Sequence, residues 1–298
     1  MRQGRAYGLV SLLLLVSLLP MATAVDSTVS VNTTWSGEVV LTGNVTVANG
    51  VTLTVSPGTT VDAKSYSIVV EGTMMVDQAS FFSSVVPETQ GSHGQGLWPG
   101  LVVEPSGQLN LTDSVVANAS ASVLVRGTFN GTDVVFNDAY RGLSLMGGDA
   151  TVTGLEANRM DYEAVYVESG LLNLTDATAT EVAVGLVNHA QANVVDLTVM
   201  EAGVGAQSLG GELYLSGFAV HNASVGFATV AGADTTLRTF MGTGLALAMD
   251  ASDTDALNLS GAVLSGGRFL VGQGVSSMVL HDVGFVATSA ENLSLIHI

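Results

Sequence analysis

The stretch Leu172-Asn173-Leu174-Thr175-Asp176 contains the pattern that decides the fold of this chain. Two leucines alternate with polar residues, which places the leucines on one face of a short strand. The closing aspartate tolerates the left-handed backbone geometry of a tight corner, as glycine also does. The same strand-then-corner pattern recurs at Leu109–Asp113, Leu213–Gly217 and Leu257–Gly261.

Two columns of residues repeat along the chain with one common period of about 21. The corner column consists of Asp113, Asp133, Gly154, Asp176, Asp196, Gly217, Thr239, Gly261 and Asp282. A column of small residues, each followed by an apolar one, consists of Gly100, Ser122, Gly142, Ala164, Gly185, Gly205, Gly226 and Ala246. Two independent columns with one period indicate a solenoid, in which each repeat buries its apolar face against its neighbours.

We predict an all-β fold, a single-stranded right-handed parallel β-helix with about 21 residues per coil and irregular N-terminal capping coils. Three short strands and three turns fill one such repeat, and coils of this kind stack about 4.8 Å apart. Leucine-rich repeats have a similar period, but their Leu-x-x-Leu-x-Leu frame and helical return are absent from this sequence. A β-propeller would need blades of about 40 residues.

The N-terminus has the features of a secretory signal peptide covering residues 1–24. A basic start precedes an apolar run from Leu9 to Leu19, and Ala22-Thr23-Ala24 predicts cleavage before Val25. The apolar run has about 11 residues, whereas a membrane-spanning helix needs roughly 20. We therefore expect a secreted or cell-surface protein.

Three further segments follow the predicted signal peptide. We interpret residues 25–98 as an N-terminal cap with the first irregular coils, and residues 99–292 as the regular coils. The loop Pro87–Gly100 is expected to bulge from the stack. Residues 293–298 resemble the translation of a transposon end used in sequencing libraries, so we interpret them as an assembly artefact and expect the true chain to continue. The alternative is a genuine final strand.

The charge balance is strongly acidic, with a formal net charge of −18. Loss of Arg2 and Arg5 with the signal peptide leaves 6 basic against 26 acidic residues. Such a surface repels nucleic acid and anionic lipid, so neither is an expected partner. It could hold divalent cations, or it could reflect adaptation to a salty medium that screens the charges.

The chain has no cysteine, which excludes disulfides, thiol catalysis and zinc–thiolate sites. Sequons of the Asn-x-Ser/Thr type, which could be glycosylated in a secreted protein, are frequent. They begin at Asn32, Asn44, Asn110, Asn118, Asn130, Asn173, Asn222, Asn258 and Asn292. Several lie inside predicted strands, so we expect partial use at most.

The segments Gly43–Val61, Ile68–Thr73 and Trp98–Leu101 resemble the opening coils of secreted right-handed parallel β-helix proteins of the pectin-lyase-like group. The resemblance covers nearly the whole mature chain. It implies the fold but not one function, because that group contains lyases, glycosidases, adhesins and scaffolds.

Catalytic motifs of that group are not evident in this chain. The hydrolase subgroup's Asp-Asp pair and Arg-x-Lys are missing, and Gly91-Ser92-His93-Gly94 is only a loose echo of its Gly-His-Gly. Lyases use a basic residue, and the candidates by residue type are Arg126, Arg141, Arg159, Arg238 and Arg268. We therefore assign no catalytic and no cofactor-binding residue.

Two weaker features are candidate binding sites. Five residues after the corner column come Asn118, Asp138, Arg159, Glu181, Glu201 and Asn222. Glu181 and Glu201 would be stacked neighbours that a calcium ion could bridge; the alternative is that both carboxylates point into water. Tyr140, Tyr162 and Tyr166 could share one lateral patch, the kind of aromatic surface that binds sugars, or could simply cover the core.

Two functions remain open from the sequence. The first is a non-catalytic extracellular module, a cell-surface scaffold or adhesin whose partners would be surface glycans or other surface proteins. The second is a polysaccharide lyase or glycoside hydrolase. Short repeats of nearly uniform length leave few insertions from which to build a substrate groove, so we favour the first.

Overall fold

The structure, a computed structural model, describes residues 23–25, 27–85, 98–230, 232–252, 254–273 and 275–287. These residues contain strands and turns but no helix, and every strand pairing between them is parallel. The chain winds into a β-solenoid of about 11 turns with about 21 residues per turn. The predicted parallel β-helix is therefore confirmed. Residues 1–22 and 288–298 lie outside the described residues, and with them most of the predicted signal peptide.

Twenty-three strands are described. The first fourteen are short: β1 Thr23–Val25, β2 Thr28–Val29, β3 Thr33–Trp35, β4 Glu38–Leu41, β5 Val45–Val47, β6 Thr52–Val55, β7 Thr60–Asp62, β8 Ile68–Val70, β9 Thr73–Asp77, β10 Ser80–Phe82, β11 Leu101–Val103, β12 Gln108–Thr112, β13 Val115–Ala117 and β14 Ala121–Val125. The rest include long strands that continue through corners: β15 Thr128–Ala139, β16 Arg141–Asn188, β17 Gln191–Ser208, β18 Gly211–Thr229, β19 Ala233–Ser252, β20 Ala256–Ser260, β21 Val263–Gln273, β22 Ser277–His281 and β23 Gly284–Ala287.

Each coil contributes one segment to each of three lateral sheets. We call them the first face, which contains β12, the second face, which contains β13, and the third face, which contains β14. After Leu101, stacked partners lie one repeat apart in the sequence, for example Gln108 with Thr128 and Ala121 with Arg141. The spacing inferred from the two sequence columns is thus the hydrogen-bond register of the sheets.

The corner column adopts the left-handed conformation throughout. Its φ angles run from 46° at Asp113 to 72° at Gly154. Asp, Asn and Gly reach this region most easily. A Cβ atom at Gly154 would clash with the Asp133 carboxylate of the preceding coil, and one at Gly217 would clash with that of Asp196. At these two corners glycine therefore leaves room for the aspartate side chain of the preceding coil.

The small-residue column marks the entry to the third face. A Cβ atom at Gly226 would lie 2.6 Å from the carbonyl oxygen of Ala248, so close stacking of the coils requires small residues here. This contact also corrects the last member of the predicted column. Phe227 pairs with Met249 and Val225 with Leu247, so Ala248 rather than Ala246 stacks on Gly226. The coil between them is therefore slightly longer than the sequence column predicts.

The N-terminal coils belong to the same stack, with less regular spacing than the later ones. The stacked partners Thr23 and Val39 are closer in sequence than one repeat, whereas Val45 and Ile68 are further apart. The corner column nevertheless continues upstream as Gly37, Gly58 and Gln78, all with positive φ. Thr23 and Ala24, the last residues of the predicted signal peptide, pair with Val39 and Val40.

The predicted loop Pro87–Gly100 coincides with a jump in register. Ser80 on β10 pairs with both Thr60 and Val115, and Val115 lies well over one repeat further along the chain. Residues 86–97 of the loop lie outside the described residues. At its end, Trp98 is buried and its indole Nε1 donates to the Ala117 carbonyl at 2.9 Å. The stack of coils therefore continues across the insertion.

One continuous apolar core fills the solenoid from Val29 to Leu264. Aromatic side chains contribute to it, and the Phe218 and Phe240 rings stack with centroids 4.8 Å apart on consecutive coils. Each coil buries its apolar side chains against the coils above and below it. The core thus accounts for the inward positions, and functional residues must be sought among the outward ones.

Candidate functional site

A cluster of polar and aromatic side chains crosses the third face, from Tyr140, where the chain enters that face, to His189 at its far end. We call this cluster the tyrosine patch. It comprises Tyr140, Arg141, Tyr162, Glu163, Tyr166, Glu168 and His189. The three tyrosines named from the sequence are therefore brought together, with four partners that sequence reasoning did not assign to them.

The aromatic rings of the patch form a surface that follows the solenoid axis. Tyr140 and Tyr162 lie on consecutive coils with ring centroids 4.4 Å apart and planes tilted by 39°. The Tyr166 and His189 rings meet edge to face, with centroids 5.7 Å apart and planes at 67°. Tyr162 is 47% exposed, so part of this surface is open to solvent.

An ion pair occupies the base of the patch. The Arg141 Nε lies 2.6 Å from Glu163 Oε2, and the side chains are only 27% and 11% exposed. The Arg141 guanidinium carbon also lies 4.4 Å from the Tyr166 ring centroid and 6.0 Å from that of Tyr140. Arginine over an aromatic face is a favourable cation–π arrangement. The Arg141 guanidinium thus lies between the Tyr140–Tyr162 pair of rings and the Tyr166–His189 pair.

The position of this ion pair in the repeat is unusual. Arg141 and Glu163 directly precede the small residues Gly142 and Ala164. The equivalent residues of the next four coils are apolar and stack on one another in register: Val184, Val204, Val225 and Leu247. The coil after these has a charged but exposed residue at this position, Arg268, which stacks on Leu247. Ala121, one coil before Arg141, is also apolar. Two charged residues therefore replace apolar ones in a column that is otherwise apolar from Ala121 to Leu247.

The hydroxyls of Tyr140 and Tyr166 have pKa values raised above the ordinary value. The hydrogen bond that Tyr166 donates to Glu168, together with burial and the negative charge of Glu168, raises the pKa of Tyr166 to about 12. The contact with Tyr162 raises the pKa of Tyr140 above its ordinary value. Both groups are neutral hydrogen-bonding phenols at physiological pH. On the same strand as Tyr166, the Ser144 hydroxyl is buried without a partner among the described residues.

Glu181 and Glu201, the calcium candidates, lie in a second column of left-handed corners. Their φ angles are 56° and 55°, and Asn118, Asp138, Arg159 and Asn222 share this conformation. Both glutamates are exposed and lie one coil apart, since Thr180 pairs with Met200 and Val182 with Ala202. Among the described residues no cluster of three or more His, Asp or Glu side chains could hold a metal ion. Calcium binding by the pair stays a prediction.

Most of the arginines considered as lyase bases already contact other side chains. Arg159 donates two hydrogen bonds to Asp138, at 2.6 and 2.7 Å, which raises its pKa. Arg126 pairs with Glu104 at 2.8 Å, Arg141 with Glu163, and Arg238 lies 5.5 Å from the Tyr214 ring centroid. An ion-paired guanidinium is not a proton acceptor. The motif Gly91–Gly94 lies outside the described residues.

A groove of about 290 Å³, separate from the tyrosine patch, lies on the first face. It crosses four coils and is lined mainly by polar residues, among them Asn193, Glu212, Tyr214, Asp234 and Asn258. Glu212 stacks directly on Asp234, which is unfavourable for two like charges. This groove has a single aromatic ring, Tyr214, so it offers a natural comparison with the tyrosine patch.

No family model matches the chain, and no curated protein matches it. Solved structures with a similar fold include a double mutant of the periplasmic alginate epimerase AlgG, at 13% identity and a TM-score of 0.42, covering 83% of this chain and 78% of that one. AlgG without these mutations matches at 12% identity and a TM-score of 0.34, over 79% and 77% of the two chains. The enzymatically active domain of tailspike protein 2 from bacteriophage CBA120 matches at 14% identity and a TM-score of 0.27, over 89% and 38%. This similarity concerns the fold alone.

The described residues include no helix that is long and apolar enough to cross a membrane.

Proposed function

We propose that this chain is an extracellular β-solenoid that binds polysaccharide through the tyrosine patch without cleaving it, as a cell-surface scaffold or adhesin. The observation that carries the proposal is the replacement of apolar residues by Arg141 and Glu163 within a cluster of three tyrosines. A partly buried ion pair is weak evidence for stability, because well-packed apolar residues at the same positions are often as stable or more so. A binding role explains why these coils depart from the repeat.

The chemistry of the patch suits sugar recognition. Tyrosine rings present apolar faces to the C–H surfaces of a sugar, and their hydroxyls exchange hydrogen bonds with its hydroxyl groups. The glutamate carboxylates add acceptors at the edge of the rings. The rigid stack of coils holds these groups in place, so little side-chain entropy is lost when a ligand binds.

Binding without cleavage is supported by the protonation states in the patch. A general base works best when its pKa lies near the operating pH. The pKa of Tyr166 is instead raised to about 12, and its proton is held by Glu168. Arg141 is ion-paired. The polysaccharide lyase or hydrolase remains the alternative, since Tyr166, His189 and Glu163 are groups that acid–base enzymes use.

A glycan array followed by titration with the best ligand tests the proposal. Tyr162→Ala and Tyr166→Ala should each weaken binding by about 10-fold or more, while Tyr214→Ala should leave it unchanged. Tyr214 is a suitable control because its ring also carries an arginine contact but lies on the first face. Equal loss in all three variants, or no binding at all, would overturn the proposal.

The same protein incubated with acidic and neutral polysaccharides, with and without calcium, separates binding from catalysis. We expect no new reducing ends and no unsaturated products. Product formation that is lost in Tyr166→Phe would establish the enzyme alternative instead.

A further inference from the structure

We infer that the tyrosine patch selects uncharged polysaccharide chains and discriminates against polymers of uronic acids. The inference rests on the proposed function and adds the chemical class of the ligand. It follows from the balance of charges around the patch rather than from the rings, because aromatic stacking alone does not distinguish a neutral sugar from its carboxylated counterpart.

The charge of Arg141, the cation within the patch, is already paired with a carboxylate. Arg141 forms a 2.6 Å ion pair with Glu163 and lies over the Tyr166 ring. An incoming carboxylate would compete with Glu163 for this one guanidinium, and the Glu163 side chain is only 11% exposed. Leaving a largely buried charge unpaired is costly. The positive charge of Arg141 is therefore largely balanced by Glu163 and does not make the patch an anion-binding site.

The neighbouring charges are predominantly negative. Glu168 is exposed at the rim and accepts the Tyr166 hydrogen bond. The next arginine along the stack, Arg159, is occupied by Asp138. The chain as a whole carries a formal net charge of −18. A uronate polymer would thus approach a surface of its own sign, and this repulsion weakens with ionic strength.

The available hydrogen-bonding groups match a neutral polyol. The carboxylate of Glu168 is an acceptor, and the tyrosine hydroxyls serve as both donor and acceptor. A sugar hydroxyl can donate to such a carboxylate, whereas a second carboxylate cannot. The geometry therefore favours ligands whose polar groups are hydroxyls.

Matched pairs of polymers test the inference, because the two members of each pair share one backbone and differ only in the group at C6, which is a carboxylate in one member and uncharged in the other. Suitable probes are methyl-esterified and de-esterified homogalacturonan, and carboxyl-reduced and native hyaluronan. At low salt the wild-type chain should bind an uncharged member at least about 10-fold more tightly, and added salt should narrow the difference. Tighter binding of the acidic members overturns the inference and leaves the proposed function intact. Binding of none, together with a silent glycan array, overturns both.

Glu163→Gln supplies the second test, since it frees Arg141. Affinity for the acidic polymers should rise by about 10-fold in this variant. Glu212→Gln, which removes the same charge from the first-face groove, should change it little. Equal effects in the two variants would overturn the inference, because net charge alone would then explain selectivity. If Glu163→Gln does not fold, Glu168→Gln provides a rim variant that should narrow the preference for uncharged polymers; an unchanged preference there would also overturn the inference.

Discussion

Two parts of one residue column differ in a way that the fold does not require. In the coils that contain Val184, Val204 and Val225, the position before the small residue is apolar and half-buried. In the two preceding coils the same position holds Arg141 and Glu163, covered by tyrosines. The backbone geometry is shared, since all these residues belong to the same parallel sheet. Packing alone explains the valines, whereas it does not explain Arg141 and Glu163.

In a solenoid, the regular coils show which type of residue packing alone requires at each position. Each repeat is surrounded by near-copies that face the same structural demands. A residue that departs from its column at a cost in desolvation therefore stands out without an alignment of related proteins. The following experiments either break this contrast or make it sharper.

Breaking the ion pair should have the largest effect. Glu163→Val leaves the Arg141 guanidinium largely buried without its carboxylate, and we expect a loss of about 3 kcal/mol in the free energy of unfolding. Urea denaturation followed by circular dichroism measures it. Glu104→Val is the matched control, because the Arg126–Glu104 pair is more exposed, at 41% and 30%, and should be worth about 0–1 kcal/mol. Equal losses would mean that burial of the patch pair has no consequence.

Moving the pair into the valine coils is the reciprocal experiment. Val184→Arg combined with Val204→Glu should lower the free energy of unfolding by about 1 kcal/mol, because two charges lose part of their water at half-buried positions and gain no tyrosine contacts in return. The same variant should not acquire a second glycan-binding site. Unchanged stability in urea would show that the column accepts charges freely, and the patch would then need no special explanation.

The Tyr166 phenol should lose its proton at a higher pH than an ordinary tyrosine does. Its pKa is raised from 10.0 to about 12, so the folded state holds the proton more strongly than the unfolded state does. The stabilisation is therefore fully present below about pH 10 and is lost as the pH rises towards about 12. Ultraviolet phenolate absorbance measures the titration, and Tyr166→Phe should remove the latest step. An unchanged profile in that variant would contradict the Glu168 hydrogen bond.

Calcium should have the smallest effect. If Glu181 and Glu201 share an ion, millimolar calcium should raise the free energy of unfolding by less than about 1 kcal/mol, because both charges are exposed. The melting temperature should rise slightly as a result. The variant with both residues changed to glutamine should not respond, and magnesium serves as the ion control. An equal shift in wild type and variant would rule out this pair as the site.

Much of the fold follows from the sequence because its corners demand special residues. Left-handed φ angles restrict the corner column to Asp and Gly with few exceptions, and the period is therefore visible as letters. Gln78 at the upstream continuation is an exception, and the insertion after Val85 separates it from Asp113 by more than one repeat. For that reason the upstream members of the corner column do not stand out in the sequence. Ala246 and Ala248 are equally small, so only the register could distinguish them.

The candidate site was predicted less completely. The three tyrosines stood out as neighbours in sequence, but Arg141 and Glu163 look like ordinary surface residues when read one at a time. A signal was present in the predicted column itself, since most residues preceding its later members are valines. Contacts such as Tyr166 with His189 depend on how side chains from different coils meet in space, which the repeat period alone does not specify.

The central claim is that Arg141 and Glu163 are retained for binding rather than for stability, and Arg141→Val with Glu163→Val tests it most directly. This double variant converts the charged coils into copies of the valine coils. Urea unfolding and glycan titration on the same preparation should give equal or higher stability together with at least about 10-fold weaker binding. Lower stability with unchanged binding would contradict the account.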